Sequence, residues 1–226
     1  MNYQFIKNKK IITLIEIAVV ALLSYGVVIV APILLGNISS GIVKMAVTPL
    51  FYVLLAGIPL VAGKITKNPV GPLIFKRESL LQQFLAGLLV FAGTAVLLTL
   101  AVVILGEKKY ILIGPKANNL TTIIYNIFFF ILFVGMGEEI LFRGYFMERI
   151  KSVSGSKVWS VIITSAVFGF WHFPGGHAYI QVLLTTALGA FYGISLYKVK
   201  NCSVLSLGIA HGLYNTYILI LSLLLL

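Results

Sequence analysis

Two adjacent carboxylates, Glu138 and Glu139, follow a long uncharged run at residues 121–137, which reads TTIIYNIFFFILFVGMG. The chain has only six acidic residues, all of them glutamate, so a third of its carboxylate side chains lie at this one point. An ionised group in the hydrocarbon of a bilayer costs about 3 kcal/mol on insertion scales. A chain that keeps two such groups next to an apolar run needs a partner or a chemical task for them. The pair therefore indicates an active site inside a membrane.

The rest of the chain has the composition of a membrane protein. Of its 226 residues, 60% are hydrophobic, whereas soluble domains have about 45–50%. The single cysteine, Cys202, excludes a disulfide within the chain. We expect residues 1–226 to form a single membrane domain.

The apolar runs predict an all-α fold, a polytopic bundle of about seven transmembrane helices. A helix needs about 20 apolar residues to span a bilayer. The fifth run is shorter, which is typical of a helix that ends inside protein, and the fourth should continue as a helix to about residue 150. Glu16, near the start of the first span, is expected at the interface beside Lys9 and Lys10. The predicted spans are 11–35, 41–63, 80–105, 120–142, 157–173, 179–197 and 204–225.

The basic residues predict how the chain is oriented in the membrane. With the N terminus inside, the outer segments hold only four of the 17 lysines and arginines. The positive-inside rule then favours an N terminus inside and a C terminus outside. The net charge of +11 is spread over several short loops, which argues against nucleic acid as a partner. The four outer residues are Lys44, Lys108, Lys109 and Lys116.

The first polar motif is EEILFR, at residues 138–143. On a helix, Glu139 and Arg143 lie four residues apart on one face, with the acid first, which is the favourable order for an ion pair. Glu138 points about 100° away around the helix and lacks that partner. We therefore expect Glu139 and Arg143 to support the structure, while Glu138 remains available for chemistry.

The other two polar motifs are FGFWH, ending at His172, and HGLYN, beginning at His211. His172 lies as far after the predicted turn near residue 155 as Glu138 lies before it. In an antiparallel hairpin the two should therefore meet at one depth. His211 matches that depth less well, but Asn215, four residues later, should face the same cavity. His177, in the loop after the second motif, is expected at the surface.

The side chains of the three motifs are of the types that a hydrolase needs when water is its nucleophile. A carboxylate and an imidazole can share a water and take its proton, while a second imidazole and an amide can donate to an oxyanion. No serine or cysteine is needed. Alternatively, Glu138, His172 and His211 could form a zinc site with one open position, which would lower the pKa of a bound water. Both the zinc and the metal-free alternative stay open.

The three motifs, in this order on successive membrane helices, resemble those of the CPBP intramembrane proteases, the Abi or type II CAAX prenyl endopeptidase-like group. The resemblance covers about residues 120–216, which are the expected catalytic core, with residues 1–119 as accessory spans. It implies an intramembrane endopeptidase, commonly labelled a metalloprotease. It also implies roles for six residues: Glu138 and His172 activate water, His211 and Asn215 stabilise the oxyanion, and Glu139 and Arg143 support them.

The resemblance also implies partners and a location. Members of the group cut prenylated CAAX proteins or are linked to bacteriocin processing and self-immunity, so a peptide or membrane-protein substrate within the lipid bilayer is expected. The short, basic chain without aspartate is typical of a bacterial protein, which predicts a multi-pass protein of the plasma membrane. The alternative is a non-enzymatic bacteriocin-immunity or membrane-binding protein of the same fold. A proton-coupled transporter is disfavoured, because the polar residues cluster in one half of the chain.

Overall fold

The computed structural model describes residues 3–70, 79–106, 117, 119–173 and 179–225, with side chains from residue 10 onward. All regular structure in these ranges is helical, and six of the seven helices are long and apolar enough to cross a membrane. The predicted all-α bundle is confirmed. The helices are α1 (Tyr3–Gly36), α2 (Gly41–Ile65), α3 (Leu80–Leu105), α4 (Leu120–Ser154), the shorter α5 (Lys157–Trp171), α6 (Tyr179–Lys198) and α7 (Val204–Leu225).

Local sequence signals set the ends of the helices. Ser40 and Ser156 accept hydrogen bonds from the first turns of α2 and α5, and Asn119 forms a capping box with Thr122 at the start of α4. Helix α4 ends at Gly155, whose φ of +72° is a conformation that favours glycine. The turn between α4 and α5 therefore lies where the sequence predicts it.

Large apolar side chains cover the outside of the bundle. Leu22, Ile104 and Phe170 are each about two-thirds exposed or more. An apolar surface of this extent suits a bilayer and would make a protein aggregate in water. The orientation of the bundle in the membrane stays a prediction, and five of the basic residues on which it depends lie outside the described residues: Lys76, Arg77, Lys108, Lys109 and Lys116.

Helix α4 is the centre of the bundle and contacts α1, α2, α5 and α7. It changes its winding twice: residues Phe130–Gly135 and Ile140–Phe146 are π-helical, and a single α-helical turn, Met136–Glu139, separates them. π-Helical stretches are rare and recur at functional sites. Both glutamates lie in the short turn between the two wide stretches.

Glycines allow α7 to cross α4 at close range. Gly208 and Gly212 have the GxxxG spacing that lets membrane helices approach each other. A Cβ atom at Gly212 would collide with the backbone of Ile131, and one at Gly135 would collide with the backbone of Gly208. The backbones are therefore in contact, and His211 lies within this crossing.

Glu16 has a partner that the sequence did not predict. It is buried, and its carboxylate accepts a hydrogen bond of 3.1 Å from Nε of the buried Arg149, whereas a position at the interface beside Lys9 and Lys10 was expected. Arg149 also donates to the backbone carbonyl of Asn68. The end of α4 runs beside α1, and a guanidinium buried there requires a carboxylate partner. The ion pair therefore ties α1 to α4.

Candidate active site

Glu138 lies between two imidazoles at the centre of the bundle. Its Oε2 atom is 3.9 Å from Nε2 of His172 and 3.9 Å from Nε2 of His211. Within the described part of the chain, this oxygen makes no hydrogen bond and is sealed from solvent. The hairpin argument placed Glu138 and His172 at one depth, and the structure brings them together. It also brings His211 equally close, although its position along the chain predicted a poorer match.

Glu139 forms the other half of the cluster. Its Oε1 atom accepts hydrogen bonds from Nη1 of Arg143 at 2.8 Å and from Nδ1 of His211 at 2.9 Å. Arg143 also donates from Nη2 to the backbone carbonyl of Gly189 on α6, at 3.0 Å. The predicted Glu139–Arg143 ion pair is present and fully buried. It links α4 to α6 and α7, and it fixes the ring of His211.

The hydrogen bonds of the two imidazoles define where their protons lie. Nδ1 of His172 is 2.8 Å from the backbone carbonyl oxygen of Phe168, and Nδ1 of His211 faces the Glu139 carboxylate. Both partners only accept, so each Nδ1 carries a proton and donates it. The Nε2 atom of each neutral ring is then an acceptor. Three acceptors, the two Nε2 atoms and Oε2 of Glu138, therefore face one another.

Aromatic rings pack against the buried cluster of Glu138, Glu139, Arg143, His172 and His211. The guanidinium of Arg143 lies 4.6 Å from the ring centre of Phe168 and 5.4 Å from that of Tyr192. The same Phe168 ring meets His172 edge-on at 4.8 Å. The fully buried Phe168 and Tyr192 exclude water from the ion pair, which strengthens its electrostatic interactions. The sequence analysis did not identify either aromatic residue as part of the site.

A cavity of about 250 Å³ opens beside Glu138 and His172. Five residues of α1 and four of α2 form most of its wall, and Trp171 completes it. Pockets for drug-sized ligands usually measure about 300–1,000 Å³. This smaller cavity suits the groups next to a reacting bond, and helices outside the predicted catalytic core shape it.

The structure does not bring every predicted site residue into the cluster. Asn215 lies one turn after His211 on α7 and is half-buried. Among the described residues its side chain has no hydrogen-bond partner, and it does not line the cavity. Its role therefore stays a prediction. His177 lies outside the described residues.

The distances between Glu138, His172 and His211 test whether these side chains could hold the predicted zinc ion. Two imidazole nitrogens and one carboxylate oxygen are donors that zinc takes, but donor atoms around a tetrahedral ion lie only about 3.4 Å apart. Both nitrogen–oxygen distances here are 3.9 Å. Among the described residues, no three His, Cys, Asp or Glu side chains are arranged to hold an ion. As they stand, these side chains do not fit a tetrahedral metal.

Comparison with known proteins finds a similarity for one segment of the chain. Residues 120–217 match the family model described as type II CAAX prenyl endopeptidase Rce1-like. No curated protein and no solved structure matches the chain. The matched segment begins with α4 and ends within α7, so it contains Glu138, Glu139, Arg143, His172 and His211. Residues 120–217, less than half of the chain, are therefore similar to the type II CAAX prenyl endopeptidase Rce1-like family, as the three motifs predicted, and this similarity suggests intramembrane protease activity.

Proposed function

We propose that this protein is an intramembrane endopeptidase that hydrolyses a peptide bond with a water activated by Glu138 and His172. The observation that supports it best is the convergence of three hydrogen-bond acceptors on one point. Oε2 of Glu138 and the two Nε2 atoms have no donor among themselves. Buried acceptors need a donor, and water provides two hydrogens at once.

The distances suit a shared water. Two atoms 3.9 Å apart can both accept hydrogen bonds from one water whose oxygen is about 2.8 Å from each. As the water attacks the scissile carbonyl, the Glu138 carboxylate takes its proton as a general base. The protonated acid then gives this proton to the leaving amine. His172 holds the second hydrogen of the water and so directs the oxygen lone pair at the carbonyl.

In this proposal, side chains of α7 stabilise the oxyanion. His211 donates from Nε2 only when its ring carries a second proton, because Nδ1–H is already directed at Glu139. Glu138 and Glu139 carry two negative charges against one guanidinium, Arg143, so one additional proton makes the buried cluster neutral. In the resting cluster Nε2 of His211 is an acceptor; in the proposal it takes up this proton only when the substrate enters, and it then donates to the developing oxyanion. The amide of Asn215, which has no competing bond among the described residues, would supply the second donor.

The nearest hydroxyl does not offer a rival nucleophile. Ser165 lies on the same helix as His172, but its Oγ donates a 2.6 Å hydrogen bond to the carbonyl of Val161. No histidine contacts it in the described part of the chain. Activation of a serine requires a base within hydrogen-bond reach, so the attack by water is the simpler route.

The catalytic core in this proposal is residues 120–216, and residues 1–119 supply the accessory spans. In this proposal the reaction takes place within the bilayer, on a peptide or a membrane protein, and the multi-pass fold supports this. The proposed location is the bacterial plasma membrane. The resemblance to CAAX endopeptidases makes a farnesylated CAAX peptide the first probe for activity.

The two histidines provide the first test. Cleavage of farnesylated CAAX peptides and of a membrane-peptide library by the purified protein in detergent should fall about 10²–10⁴-fold in His172→Ala, because a positioned acid–base group contributes that much. His211→Ala should lose a similar factor. Thr99→Val, a change at an exposed position of α3 outside the cavity, should cleave at the wild-type rate. Full activity in either histidine variant would overturn the proposed role of that ring.

Removal of metal ions separates the two alternatives that the sequence left open. Because the 3.9 Å spacing does not fit a tetrahedral ion, we expect protein treated with a strong chelator and dialysed to keep its peptidase activity. The metal content should be measured by elemental analysis on the same samples. Loss of one equivalent of zinc together with the activity, and recovery of both on adding zinc, would contradict this expectation.

A further inference from the structure

The cavity beside Glu138 has few hydrogen-bond donors. Glu138 and His172 both line it, but a carboxylate only accepts, and the Nδ1–H of His172 is already directed at the carbonyl of Phe168. The hydroxyl of Thr48 also lines the cavity, but it already donates to the carbonyl of Lys44 at 2.7 Å. The remaining polar side chains in the wall are Tyr52 and Trp171.

The position of Tyr52 is fixed by its contact with α4. A Cβ atom at Gly137 would lie 3.1 Å from the carbonyl oxygen of Tyr52 and 3.5 Å from its Cβ, so α2 crosses α4 one residue before Glu138. The ring of Tyr52 packs edge-on against Phe129, with 5.3 Å between the ring centres. These contacts hold the ring at the wall of the cavity.

Among the described residues, none bonds to the hydroxyl of Tyr52. Within the part of the chain that the structure describes, it makes no hydrogen bond, yet it is absent from the oxygens sealed inside the protein. A tyrosine hydroxyl that is held among apolar helices normally finds a partner. A group that enters the cavity can therefore accept its hydrogen bond.

From this we propose that Tyr52 donates a hydrogen bond to the carbonyl oxygen of the scissile peptide, and so stabilises the oxyanion together with α7. The inference rests on the proposed peptidase function. A peptide in the apolar interior of a membrane protein needs each of its polar groups paired. The phenol supplies a neutral donor that keeps its proton throughout, and it faces Glu138 across the cavity.

The proposal also gives the accessory half of the chain a part in the reaction. Tyr52 lies outside the segment 120–217 that matches the family model. The side chains of α1 and α2 that share the cavity wall with it are mostly apolar. Variation in these two helices would therefore alter the rate and the choice of substrate while the glutamates and histidines stay unchanged.

Replacement of Tyr52 by phenylalanine removes only the hydroxyl and keeps the packing on Phe129. With the farnesylated CAAX peptide as substrate, we expect kcat to fall about 10²-fold, as for the loss of one oxyanion donor, with KM unchanged. A peptide phosphonate that mimics the tetrahedral intermediate should lose affinity by a similar factor. The uncleaved peptide, measured on a Glu138→Gln background, should bind equally well with and without the Tyr52→Phe change.

Tyr25→Phe is the matched control. Tyr25 packs against Trp171 at 5.7 Å but does not line the cavity, so its loss should leave kcat unchanged. Trp171→Phe tests the other donor in the wall. Full activity in Tyr52→Phe, or a fall in kcat only in Trp171→Phe, would overturn the assignment of Tyr52. If Glu138→Gln cleaves at the wild-type rate, or the wild type cleaves no probe, the proposed function fails and the inference with it.

Discussion

Glu138→Gln should abolish peptide cleavage without weakening the fold. Glutamine keeps the shape of glutamate but cannot take a proton from water, so we expect kcat to fall by about 10³-fold or more. Its amide can donate to one of the Nε2 atoms that now lie 3.9 Å from Oε2. The variant should therefore melt at the wild-type temperature or above it. Cleavage rates and thermal unfolding should be measured on the same preparation in detergent.

Glu148→Gln is the control for this prediction. Glu148 lies on the same helix, but it pairs with Lys151 at the protein surface, so its loss should leave the rate unchanged. The same pair of variants separates the enzyme from a non-enzymatic immunity or binding protein. If Glu138→Gln still protects cells against a bacteriocin as well as the wild type does, hydrolysis is not the basis of protection.

The position of each helix could be predicted from the sequence because the physical signal is strong there. Apolar runs of sufficient length marked six helices, and the shortness of the fifth run matched the 15-residue α5. The hairpin between α4 and α5 could be predicted for the same reason. With the turn at Gly155, equal numbers of helical residues on its two sides bring Glu138 and His172 to about one depth.

Less of the site could be predicted, because its details depend on contacts between helices. The π-helical stretches on either side of Met136–Glu139 leave no clear periodic signal in a chain that is apolar on all faces. The approach of His211 follows from Gly208 and Gly212, whose GxxxG spacing indicates a close helix contact but not which helix is the partner. The wall formed by α1 and α2 could not be predicted, because nothing in their apolar pattern indicates which face meets α4.

The buried ion pair of Arg143 leads to the second large effect, which is on stability. Arg143→Met removes a guanidinium that serves Glu139, the carbonyl of Gly189 and the faces of two aromatic rings. Methionine fills part of the volume but leaves the carboxylate of Glu139 buried without a cation. Breaking a buried pair in this way costs about 3–5 kcal/mol. We expect a marked fall in the apparent melting temperature in detergent, followed by tryptophan fluorescence.

A double variant shows whether the unpaired charge is the cause. Arg143→Met combined with Glu139→Gln leaves no buried charge at this position, and the glutamine oxygen can still accept from Nδ1 of His211. Part of the lost stability should return, because replacing both charges costs less than removing one partner. Lys151→Met breaks the partly exposed Glu148 pair on the same helix, which should cost no more than about 1 kcal/mol. If Arg143→Met melts like Lys151→Met, the guanidinium is not what holds α4 to α6 and α7, and the fixed orientation of the His211 ring loses its explanation.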